Sequence, residues 1–147
     1  MPISRRSFAK NAITAFTAAS LSPLTSRNAV LSKKIKVVCV GGHPDDPESG
    51  CGGTLAKLAA AGNDVTIIYL TSGEAGIPGT SHNDAAAIRT REARAACSIL
   101  NAKPVFAGQI DGDTIVNNEW IHKLNDLIIA EKPDLVYIYP YTGNSSA

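Results

Sequence analysis

Apolar residues fall in four short runs, separated by stretches with helical spacing. Ile35, Val37, Val38 and Val40 form the first run. It is continuous rather than alternating, which predicts a strand over 34–40 covered on both faces. Val65, Ile67, Ile68 and Leu70 predict a second strand over 65–70, residues 103–106 a short third, and residues 134–138 a fourth. A helix follows the first strand, from a Ser49 cap to Ala61, with Leu55, Leu58 and Ala59 inward and Gly62 as its stop. A second helix starts at an Asp84 cap and reaches Leu100, with Ile88, Ala95, Ala96, Ile99 and Leu100 inward. The third covers 117–131, with Trp120, Ile121, Leu124, Leu127 and Ile128 inward, His122 and Lys123 outward, and Pro133 as its end. Regular alternation of strand and helix predicts an α/β fold, a Rossmann-like parallel sheet with helices on both faces.

Charge changes the picture at the start of the chain. Residues 1–36 carry seven Lys/Arg and no acid, whereas the remainder carries thirteen Asp/Glu against seven Lys/Arg. An acidic body argues against nucleic acid as a partner. Ser4-Arg5-Arg6-Ser7-Phe8-Ala9-Lys10 resembles the twin-arginine export signal S-R-R-x-F-x-K. The mildly apolar residues 12–24 behind it are too few and too polar for a stable membrane span. Residues 1–32 are thus read as export signal and linker, and 33–147 as the folded domain. The implied location is periplasmic or extracellular, the alternative reading of the segment being a disordered basic tail. Cys39, Cys51 and Cys97 include no C-x-x-C pair and read as small buried hydrophobes.

The chemistry concentrates where the first strand stops. Gly41-Gly42-His43-Pro44-Asp45-Asp46-Pro47-Glu48-Ser49-Gly50-Cys51-Gly52-Gly53 puts an imidazole and two adjacent carboxylates on the turn that leaves the sheet edge. Folds of this class place their ligands at that edge. Imidazole plus carboxylate is a common ligand set for zinc and similar ions. Adjacent side chains on an extended turn point different ways. If His43 and Asp46 reach one ion, Asp45 is left to take a proton from water. Pro44 and Pro47 restrict the backbone on both sides. The glycines do not spell G-x-G-x-x-G directly after the strand, and two acids there would repel a pyrophosphate, so a dinucleotide site is disfavoured.

The same stretch resembles the opening motif of the LmbE-like (PIG-L) de-N-acetylases, roughly A-H-P-D-D-E-x-x-G-x-G-G-T. The spacing is kept, but Pro47 stands where Glu is usual and Glu48 follows one place late, so Glu48 is given no catalytic role. The resemblance implies a zinc-dependent hydrolase (or one using another divalent metal) that deacetylates a small N-acetylglucosamine-type compound or related amide. It implies His43 and Asp46 as metal ligands and Asp45 as general base. Thr71-Ser72-Gly73-Glu74-Ala75-Gly76 resembles the family's T-x-G-E-x-G loop, which is either a substrate wall or an ordinary connection. Arg91-Glu92 matches the family's R-E pair, so Arg91 binds a substrate oxygen or else belongs to a solvated face with Arg89 and Arg94. Gly108-Gln109-Ile110-Asp111-Gly112 resembles the G-x-x-D-G turn, where Asp111 faces sugar hydroxyls or simply forms the turn. The motifs cover 35–140. Members continue to a distal H-x-x-H-type motif that supplies a third zinc ligand, and this chain has no His after His122. The expectation is the N-terminal part of such an enzyme, truncated at its C-terminus, or a degenerate, non-catalytic copy that binds sugars.

Overall fold

A computed structural model describes residues 33–139. The expected export signal and linker (1–32) and the tail from Pro140 to Ala147 lie outside the described residues. Four strands, β1 (Lys36–Gly41), β2 (Asp64–Thr71), β3 (Lys103–Gln109) and β4 (Leu135–Ile138), alternate with three helices, α1 (Asp46–Ala60), α2 (His82–Leu100) and α3 (Asn118–Glu131). All neighbouring strands are parallel, in the order β3-β2-β1-β4. The expected α/β architecture is present, with helices on both faces.

The pleat sorts the side chains. Val37 and Cys39 of β1 join Val65, Ile67 and Tyr69 of β2 on one face, against Leu55 and Ala59 of α1 and Ala93 and Cys97 of α2. Val38, Val40 and Ile68 point to the other face, where Leu124, Leu127 and Ile128 of α3 cover them. The central strands are therefore buried on both faces and largely apolar, with Thr66 and Thr71 the buried polar exceptions, as suits a two-sided parallel strand. α3 covers its face less completely: none of its residues is fully buried, and Ile121 is exposed. Among the described residues, no helix is long and apolar enough to cross a membrane.

Two helix starts and one buried helix face differ from expectation, each for a local reason. α1 begins at Asp46, with Asp45 in the cap position and Ser49 already inside the helix. Pro47 sits in the first turn, where its missing N–H costs nothing and its fixed φ suits a helix. α2 is capped by Ser81, three residues before the expected Asp84. The Ser81 hydroxyl accepts from the Asp84 N–H (3.2 Å) and donates to the Asp84 carboxylate (2.6 Å), a reciprocal closure of the first turn. The buried stripe of α2 is Ala85, Ala93 and Cys97, while Ile99 is 86% exposed. Small side chains let α2 lie close to the sheet, which rotates the helix away from the face predicted from Ile99.

Glu131 ties the end of α3 to the sheet, accepting from the Lys103 ammonium at 2.6 Å and the Thr66 hydroxyl at 3.1 Å. The Lys103 bond holds the Glu131 carboxyl below its usual range. A carboxyl with a depressed folded-state pKa adds stability above its unfolded pKa and loses it as pH falls through the folded value. Lys103→Met is expected to cost about 0.5–1 kcal/mol near neutral pH, since both partners are partly exposed. Urea melts should show the gap closing as the pH is lowered through the titration of Glu131. A gap unchanged across that titration would mean that Lys103 acts through packing.

Candidate metal and substrate site

The site lies where β1, β2 and β3 end. Gly41 closes β1 in a space with no room for a side chain, because a Cβ would stand 2.6 Å from the Pro47 ring. Pro44 and Pro47 are both fully buried and fix the turn from inside. Between them Asp45 adopts φ 97°, ψ −24°, a conformation that costs a non-glycine residue of order 1–3 kcal/mol. Such strain persists only where the surroundings enforce it, and here Arg89 does so. Its guanidinium Nη2 donates to the Pro44 carbonyl at 2.7 Å and to Asp45 Oδ2 at 2.8 Å.

Arg89 reaches the turn through a slot lined by the loop after β2. A Cβ on Gly73, whose φ is 72°, would crowd the Arg89 Cβ and Cγ at 3.3 Å, and one on Gly76 would approach Arg89 Nε at 3.5 Å. The glycines of the T-x-G-E-x-G stretch thus lie flat on the arginine stem. Asp45 is the main influence raising the Arg89 pKa, with burial opposing it and Glu92 adding to it. Arg91, the arginine singled out from the sequence, sits on the exposed face of α2. The arginine that touches the motif is Arg89. Its spacing of four from Ala85 and Ala93, on the small-residue stripe, is the signal that finds it.

His43 and Asp46 come together as expected. The His43 backbone N–H donates to Asp46 Oδ2 at 2.9 Å, and the same oxygen lies 3.2 Å from the ring Nδ1. Nε2 lies 3.0 Å from Asp111 Oδ1. The other Asp111 oxygen accepts from the Ala75 N–H at 3.2 Å, so both oxygens of that carboxylate are engaged by the protein. Glu74 Oε2 accepts from the backbone N–H of Ser72 (3.2 Å) and of Asp111 (3.0 Å), clipping the β2 loop to the β3 turn. Sequence reading gave Glu74 no such role. Of the remaining histidines, His82 opens α2 and His122 lies on α3, both exposed. Glu48 turns into the core, where the Tyr69 hydroxyl donates to it and also contacts Cys97. Burial, first of all, pushes the Tyr69 phenol far above its ordinary value.

Each His43 nitrogen therefore faces a carboxylate oxygen, while a neutral imidazole has only one N–H to give. An N–H can serve one of these contacts, and a cation shared by nitrogen and carboxylate is compatible with the other. With Nε2–H donating to Asp111, the Nδ1 lone pair is turned towards Asp46. The 3.2 Å separation of Nδ1 from Oδ2 is close to the roughly 3.3 Å expected between two ligands of one tetrahedral ion. The residues fit a zinc-like ion at this pair, and Asp111 completes the carboxylate–histidine arrangement common behind such ligands. Among the described residues no group of three His, Cys, Asp or Glu side chains is arranged to hold a metal.

A cavity of about 470 Å³ adjoins the pair, with His43, Thr71 and Asp111 on its polar side and Leu70, Leu124 and Ile128 on its apolar side. A second hollow, of about 500 Å³, lies by Asn63, Asp64 and Asn101 and includes none of the motif residues.

Residues 38–146 match the family of PIG-L, the GlcNAc-PI de-N-acetylase. The chain belongs to this family. It is 33% identical over 117 residues to diacetylchitobiose deacetylase of Thermococcus kodakarensis, an alignment covering 74% of this chain and 43% of that protein. A shorter stretch of 41 residues is 56% identical to the 1D-myo-inositol 2-acetamido-2-deoxy-alpha-D-glucopyranoside deacetylase of Corynebacterium glutamicum, covering 28% of this chain and 14% of that one. The solved N,N'-diacetylchitobiose deacetylase of Pyrococcus horikoshii, complexed with its inhibitor MPG, superposes with a TM-score of 0.67 at 26% identity. That match takes in 92% of this chain and 50% of the archaeal one. The chain thus spans about half the length of these PIG-L-family relatives.

Proposed function

We propose that the protein is a zinc-dependent hydrolase that removes an acetyl group from an N-acetylglucosamine-type compound or a related amide. The observation that carries this reading is the placement of His43 between two carboxylates, Asp46 of its own turn on one ring nitrogen and Asp111, from the turn after β3, on the other. His43 and Asp46 would hold the ion. When bound, such an ion supplies Lewis-acid activation of water and of the amide carbonyl. Asp45 then takes the proton of the attacking water, its side chain being 59% exposed and held at one oxygen by Arg89. Asp111 keeps the His43 ring in one tautomer and presents its turn to the adjoining cavity. A substrate oxygen arriving at the turn would meet Arg89 rather than Arg91. Cleavage of the amide C–N bond releases acetate and a free amine. The test is acetate release from N-acetylglucosamine compounds by a chimera that joins this segment to the complementary part of a full-length relative, with zinc counted in the same sample.

A second reading, a non-catalytic module that binds such sugars, is favoured by one observation. Only His43 and Asp46 converge as ligands among the described residues, whereas catalytic zinc normally has three protein ligands. Sugar binding without acetate release from zinc-loaded protein would move the assignment to this reading.

Export by the twin-arginine route to the periplasm or beyond is part of the proposal, supported by Arg5-Arg6 in their Ser4–Lys10 context. Changing both arginines to Lys is expected to leave the protein in the cytoplasm. Unaltered recovery of the double variant from the periplasm would exclude this route.

A further inference from the structure

Cys39 and Cys51 do not serve the chemistry above, yet their sulfurs lie 3.6 Å apart. Cys39 is fully buried on β1, and Cys51 is half-buried in the first half of α1. Cys51 is also the one residue inside α1 with non-helical geometry, φ −147° and ψ 17°, where two helical segments meet at a kink. Gly50 and Gly52 flank it. Bonded sulfurs stand about 2.05 Å apart, so closure needs an approach of roughly 1.5 Å. A kinked backbone between glycines accommodates such a shift better than a regular helix does. The third thiol, Cys97, is engaged elsewhere, 3.3 Å from the Tyr69 hydroxyl.

We infer that Cys39 and Cys51 form an intrachain disulfide site that closes a covalent ring around the turn bearing His43, Asp45 and Asp46. The oxidant is a disulfide of a small dithiol or thiol, or of a protein of that class. The partly exposed Cys51, as thiolate, attacks one sulfur of that disulfide and expels the other as thiolate, giving a mixed disulfide. Cys39, as thiolate, then attacks the Cys51 sulfur and displaces the second external thiolate. Two protein thiols lose two electrons and two protons, and the external disulfide gains them as two thiols. Burial, with the neighbouring Cys51 adding to it, pushes the Cys39 thiol up to about 12, which makes the second step the slow one. The ring ties β1 to α1 across the motif, restricting the unfolded chain where the strained Asp45 must be rebuilt on folding.

The experiment uses the 147-residue chain, purified reduced and equilibrated with oxidised glutathione, then alkylated and analysed by intact mass and peptide mapping. The expected product has lost the mass of two hydrogens, retains one alkylatable thiol at Cys97, and links the peptides holding residues 39 and 51. Its Tm should rise by roughly 5–15 °C and return on reduction. Cys51→Ala should abolish the link, and Cys97→Ala should preserve it. Three alkylatable thiols after oxidation, a glutathione adduct that persists on Cys51, or a link that includes Cys97 would each overturn the assignment. None of these readouts depends on deacetylation, so the disulfide site and the hydrolase reading stand or fall separately.

Discussion

Asp45→Asn is expected to keep its zinc and lose roughly 10²–10⁴-fold in turnover, the usual cost of removing a general base. His43→Ala and Asp46→Ala are expected to lose the ion itself. Because the chain spans about half the length of these relatives, the comparison belongs in a chimera that joins it to the complementary part of one of them. The contrast follows from what each carboxylate touches. Asp46 is folded back on the His43 ring and backbone, so it has one geometry to offer an ion. Asp45 is turned outward by its left-handed backbone and gripped at one oxygen by Arg89, which leaves it accessible to water. Asn preserves the shape and a carbonyl oxygen for Arg89, but cannot take a proton. Metal loss in Asp45→Asn, or near-normal turnover, would show that the two aspartates have exchanged roles.

Purified as these 147 residues, the protein is expected to shed zinc on dialysis and to release negligible acetate from N-acetylglucosamine compounds. Two protein ligands leave an ion mostly hydrated, which lowers both its affinity and its hold on the reacting groups. His82 and His122 are exposed on α2 and α3 and are not part of the pair formed by His43 and Asp46. The sheet adds a physical difficulty: Leu135, Val136 and Ile138 of β4 are exposed, and apolar residues on an edge strand favour association. Stoichiometric zinc with steady acetate release would mean that some other side chain completes the site.

The strands were legible because parallel strands covered on two faces need near-continuous apolar runs such as Val37 to Val40 and Val65 to Ile68, the latter interrupted by Thr66. The pairing of His43 with Asp46 was legible because a three-residue spacing across a proline-bounded turn leaves little freedom. Longer-range features were hidden for the same physical reason. The rotation of α2 is set by how closely Ala85, Ala93 and Cys97 approach the sheet, and the hydrophobic pattern weighted Ile99 instead. That rotation alone decides whether Arg89 or Arg91 faces the turn. The Glu74 clip and the contact of Cys39 with Cys51 depend on where separate segments meet, and no local spacing encodes either. Asp111 was found through its turn, while its bond to His43 spans 68 positions and had no trace in the pattern.

That span has a kinetic consequence. His43 gains its orienting partner only after β2 has crossed over beside β1 and β3 has crossed over beside β2, since Asp111 follows β3. Parallel crossovers are slow, non-local steps, because loop entropy is lost before contacts compensate. A peptide containing only residues 36–60 would offer an ion His43 and Asp46 with an unheld ring, and would bind it far more weakly than the folded sheet. If the pair holds an ion as proposed, its capture would come late in assembly, and zinc uptake by refolding protein is expected to follow the docking of β3.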